Sequence, residues 1–127
     1  MPTAYIDLSG MMLEPNIDTS VVVGMLRGLR LPEKAIGTVM TEARVAVCHR
    51  LVVAGPDAAL RLAQAVPLAL PLLIDIGVFG RLVGESSGAT ATALNISRIL
   101  RCVSEVVAER GPEAGVVMAT SYLLERG

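Results

Sequence analysis

The chain has 127 residues, an apolar fraction of 53% and a formal net charge of −1. That length supports one domain, residues 1–127, with a core of its own. The balance of eleven Lys+Arg against twelve Asp+Glu excludes a general electrostatic grip on DNA or RNA.

Mean hydropathy is +0.61, yet only Tyr5, Phe79 and Tyr122 are aromatic. Small aliphatic side chains therefore do the packing. Val, Leu and Ala exceed what one small core needs, which predicts a homo-oligomer, a partner protein or a small apolar ligand to cover the surplus. Cys48 and Cys102 form no CxxC pair and no signal peptide opens the sequence. The expected setting is the reduced cytoplasm.

Taken in order, Thr3–Leu8 reads as a short strand or extended arm closed by Ser9-Gly10. Asp18 or Thr19 then caps a helix to about Arg30 through Val22, Met25, Leu26 and Leu29. Leu31-Pro32-Glu33 opens a second helix, with Pro at its first position and acid in its first turn. Ile36, Met40, Ala43, Val47, Leu51 and Ala54 keep its register. Gly55-Pro56-Asp57 repeats the punctuation and starts a helix to about Val66, where Pro67 and Pro71 break the chain. Leu70–Val83 is apolar on every side except Asp75 and Arg81, which predicts the most buried element.

The clearest signal is the helix Ala89–Arg110. Ala93, Ile96, Leu100, Val103 and Val107 line one face, Ile99, Cys102 and Val106 widen it, and Arg101 and Glu105 pair at i,i+4 on the other. A Ser or Thr ahead of Thr90 is expected to cap it. Gly111-Pro112-Glu113 stops it and opens a last helix.

These elements predict a mainly α fold, a compact bundle of about five or six helices with a short N-terminal extended segment. The alternative is α+β, with strands near 3–8, 43–53, 70–78 and 114–124, because short buried strands and buried helices share an apolar pattern. An internal echo favours helices. Arg44, Cys48, Val52-Val53-Ala54 and Gly55-Pro56-Asp57-Ala58 parallel Arg98, Cys102, Val106-Val107-Ala108 and Gly111-Pro112-Glu113-Ala114, after two extra residues in the second copy.

Candidate chemistry is sparse. Ser86, Ser87, Gly88 and Thr90 stand at the start of the long helix, where free amides and the dipole favour a ligand's phosphate or carboxylate. That loop lacks the Lys of a P-loop, and Glu85 opposes an anion. Asp75 sits in an apolar run, so it is expected to be buried, and either paired with Arg81, Arg44 or Arg98 or active as a general base. His49, the only histidine, neighbours Cys48, but adjacent helical residues diverge by about 100°. A Cys–His metal site would need Cys102 or a second subunit as well, so no metal or cofactor is expected. Gly80-Arg81-Leu82-Val83-Gly84 has GxxxG spacing and, with Gly77, permits close approach of two helices. The apolar run from Ala65 to Gly80 is too short and too interrupted for a membrane span.

The function expected first is therefore binding of a partner protein or a small apolar ligand by a soluble helical oligomer. The second is a small acid–base enzyme, of the lyase, isomerase or hydrolase type, using Asp75 with Glu85 or His49, or with Asp7.

Overall fold

A computed structural model describes residues 17, 19–85 and 88–126 of the chain. They form six helices: α1 (Thr19–Gly28), α2 (Glu33–Ala54), α3 (Pro56–Ile76), α4 (Val78–Glu85), α5 (Ala89–Arg110) and α6 (Pro112–Arg126). No strand occurs among the described residues, so 43–53, 70–78 and 114–124 are helical and the α+β alternative fails there. Of their β-branched residues, Val47 and Val78 are buried in helix packing, whereas Val45, Val52, Val53, Val116 and Val117 are exposed. The expected strand 3–8 lies outside the described residues, as does Asp7.

Four long helices make a bundle of rhombic section. Around it run α2, α3, α6 and α5, each touching the next; α3 and α5 also meet across the short diagonal, while α2 and α6 do not touch. α1 lies on α2 and α3, and α4 on α3, α5 and α6. Phe79, Leu26, Leu62, Leu70, Leu73, Ile96 and Leu100 are the large side chains of the core. Outside it, Arg27 donates to both carboxylate oxygens of Glu33 at 3.0 and 2.9 Å, tying α1 to the start of α2. That hydrogen bonding holds the Glu33 carboxyl below its ordinary range.

The prolines correct the reading of residues 55–83. α3 runs straight through Pro67 and Pro71 to Ile76. An interior proline costs a helix about 3 kcal/mol. Against this, α3 buries Leu62, Val66, Leu70 and Leu73, at about 1.5–3 kcal/mol each, and it touches all five other helices. Packing outweighs propensity. The helix stops at Gly77 instead, where a left-handed φ of 91° lets the amide bond back to Ile74 and Leu73. The expected apolar element 70–83 is thus the end of one helix and the start of another. At 21 residues, α3 is also long and apolar enough to cross a membrane by length and composition alone, which removes the length argument against a span. Less than half of that apolar window is buried, and Arg61, Gln64, Leu68 and Asp75 are exposed along one side.

The internal echo has a counterpart in the order and joints of the helices, in a different register. α2 and α5 both have 22 residues. Both end at a glycine of φ 94°, Gly55 and Gly111, whose amide bonds to Leu51 O at 3.0 Å or Val107 O at 2.9 Å, and a proline then starts the next helix. A shift of 56 residues carries Glu33 onto Ala89 and Gly55 onto Gly111. The same shift carries Val22-x-Gly24-x-Leu26-x-Gly28 of α1 onto Val78-x-Gly80-x-Leu82-x-Gly84 of α4. Val22, Leu26, Val78 and Leu82 are all buried, as are the equivalent pairs Val47 and Val103, and Ala63 and Ala119. Each half has the same order, a short helix followed by a helical hairpin. In this register Arg44 matches Leu100, and Cys48 matches Ser104. The Arg and Cys echo was two residues out of step with the structure.

Candidate functional site

Asp75 lies on the last turn of α3 and is exposed, contrary to its expected burial and pairing. Two residues on from buried Leu73, it stands about 200° round the helix on the solvent side. α2 and α3 are consecutive helices joined at Gly55. His49 lies six residues before that joint and Asp75 twenty after it. At 1.5 Å per residue this leaves them about 20 Å apart, so they do not share a site. His49 and Cys48 are exposed on the outer face of α2, whereas Cys102 is half-buried on α5. Among the described residues, no three His, Cys, Asp or Glu side chains converge as metal ligands would.

Of the expected anion site, Ser86, Ser87 and the Glu85 side chain lie outside the described residues. Gly88 is the N-cap of α5, at φ 109°, and no side chain caps it. The hydroxyl of Thr92 donates to Gly88 O at 2.9 Å, while Thr90 is exposed. The expected Ser or Thr cap is therefore replaced by a glycine turn.

The structure instead offers an open polar groove of about 380 Å³ between α2 and α5, lined by Glu42, Leu94, Ser97, Arg98, Arg101, Cys102 and Glu105. The expected Arg101–Glu105 pair is present, with Nε 3.7 Å from the carboxylate. Arg50 adds contacts from α2 to Glu105 and Glu109, both at 3.3 Å. Behind the groove, Val39, Ala43, Ala46, Leu62, Val66 and Ser104 line a void of only about 10 Å³. The hydroxyl of Ser104 is fully buried there and has no hydrogen-bond partner among the described residues.

Sequence reasoning missed the outer faces of the two corner helices. On α2, Thr41, Arg44, Val45, Cys48, His49 and Val52 form one exposed strip. Val45 is 57% exposed, Val52 84% and Val53 67%. On α6, Val117 is 66% and Leu124 76% exposed. The matched helix order supplies an internal control. Val45 corresponds to Arg101, Val53 to Glu109 and Val117 to Arg61, and all six positions are exposed. Where one half presents a charge to water, the other presents a valine. The signal available in the sequence was a second apolar set in α2, at 45, 52 and 53, off the buried face traced by Ile36, Met40 and Val47.

Comparison with protein-family models, with curated proteins and with solved structures finds no match. The class that can be stated for the described residues is a compact six-helix bundle.

Proposed function

We propose that this protein is a non-catalytic interaction module that associates with copies of itself through its outer apolar faces. The observation that carries this reading is the valine strip on α2, where Val52 is 84% exposed in a helix whose opposite side is already packed. Apolar side chains gathered on one helix face need a cover. The void beside Ser104, about 10 Å³, is barely room for one water and does not itself house an apolar ligand. The Asp75–His49 form of the enzyme alternative loses support because the two stand far apart; the Glu85 side chain and Asp7 lie outside the described residues. α3 at the centre of the bundle suits a soluble assembly better than a span, and the free thiols of Cys48 and Cys102 suit a reducing cytoplasm.

Sedimentation equilibrium across a concentration series tests the proposal. The wild-type chain should associate, and Val52→Glu should weaken association without lowering the thermal midpoint seen by circular dichroism. A wild-type chain that stays monomeric at tens of micromolar would refute it.

A further inference from the structure

We infer that the polar groove between α2 and α5 binds a small hydroxylated amino acid as its zwitterion. Arg98 and Arg101 take the carboxylate, Glu42 takes the ammonium, and the tip of the side chain points toward Ser104. The groove lies on the α5 side of α2, apart from the outer valine strip, so this site does not depend on self-association.

Two unpaired charges of opposite sign line the groove. At one end Glu105 is held by Arg50 at 3.3 Å. Toward the other end, neither Arg98 nor Glu42 has an ion-pair or hydrogen-bond partner among the described residues, and they do not pair with each other. Arg101 approaches Glu105 only to 3.7 Å, beyond hydrogen-bond length, so its N–H donors are free for a ligand. A simple anion on the two arginines would leave Glu42 uncompensated beside it, and a simple cation on Glu42 would face both arginines. A molecule carrying both charges meets each with its opposite. The groove's volume of about 380 Å³ is near the lower end for small-molecule sites, about 300–1,000 Å³, which restricts the ligand to a small one.

A second, independent feature lies behind the groove. Ser97 and Arg101 line both the groove and the void at Ser104, so the two adjoin. The void is walled mainly by aliphatic side chains, and the Ser104 hydroxyl in it is fully buried without a partner. Unpaired in the free chain, that hydroxyl is a cost to folding, and a ligand hydroxyl placed in the void supplies the missing partner. About 10 Å³ admits one group of that size and no longer side chain.

The test titrates the isotope-labelled full-length chain with L-serine and follows its backbone amides by NMR. Lactate, which lacks the ammonium, and ethanolamine, which lacks the carboxylate, are the single-charge controls. Serine should give saturable shifts confined to residues 39–46 and 94–105, the stretches that line the groove and the void. Each control should bind about tenfold or more weakly, the loss expected for one charge-assisted contact. Arg98→Gln should abolish serine binding, and Glu42→Gln should reduce it to the level of lactate. Ser104→Ala should weaken serine but not L-alanine. Arg98 and Glu42 are exposed, so circular dichroism should find both of those variants folded, and the ligand controls on the wild-type chain need no variant. Lactate that binds as tightly as serine would make the groove a plain anion site and overturn the inference. Serine binding that survives Arg98→Gln or is indifferent to Ser104→Ala, or the absence of any saturable shift, would overturn it equally.

Discussion

Replacing Ser104 by Ala should stabilise the bundle, although it deletes a fully buried side-chain atom. The hydroxyl lies where α2, α3 and α5 meet and has no partner among the described residues. An unsatisfied buried hydroxyl costs about 1–3 kcal/mol. Alanine removes that cost and adds up to about 0.5 kcal/mol of helix propensity. Against the change stands the enlarged void. One oxygen's volume, near 20 Å³, at about 24 cal/mol per Å³ comes to roughly 0.5 kcal/mol. The net expectation is a gain of about 0.5–3 kcal/mol, read as a higher urea midpoint with an unchanged slope. A loss of about 1 kcal/mol or more would show that the hydroxyl is satisfied in solution, for instance by a water filling the void, and would refute the reasoning.

Gly55→Ala and Gly111→Ala should each destabilise by about 1–3 kcal/mol in thermal melts, because both joints combine φ 94° with an extended ψ, a region closed to side chains. Similar losses at the two sites are expected if the joints are equivalent. Glu33→Gln should be slightly less stable than wild type at pH 7. The carboxyl's lowered pKa means its stabilisation is present above the ordinary carboxylate range and lost as pH falls through the folded-state value. The two proteins should therefore converge in urea melts in acid, and a constant difference down to pH 2 would count against the Arg27 tie. The triple variant Val45→Arg, Val53→Glu, Val117→Arg gives each half the other half's solvent residues; light scattering should find a monomer with unchanged helix content.

The long helices were legible because local and tertiary signals agree. Glu33–Ala54 and Ala89–Arg110 are bounded as the sequence indicates, since a glycine with positive φ followed by proline ends a helix and starts the next. Where the two signals conflict, packing prevailed and sequence reading failed. Pro67 and Pro71 carry a local cost, but the burial of Leu62, Val66, Leu70 and Leu73 depends on helices far along the chain. Asp75 looked buried because its neighbours are apolar, yet at a helix end the side facing solvent is decided by the next helix's direction. Ser86 and Ser87 suggested a side-chain cap, whereas Gly88 occupies that position without one. The matched helix order was visible only through its joints. Identical Arg and Cys letters two residues off register were a misleading guide to which positions share an environment.

That register bears on where function resides. The two halves, packed in a rhombus, do not meet the same surroundings: α3 and α5 share the short diagonal, while α2 and α6 stand at the corners. Divergence at positions whose burial differs, such as exposed Arg44 against buried Leu100, follows from this asymmetry and implies nothing further. Divergence where both halves remain exposed cannot follow from it. Val45 against Arg101, Val53 against Glu109 and Arg61 against Val117 are of that second kind. A change from charge to valine there is no help to the fold and raises the risk of non-specific aggregation. All three valines lie on the two corner helices. The self-association proposed above would give these three valines a cover; it leaves Leu68 on α3 and Leu94 on α5, both exposed, without one.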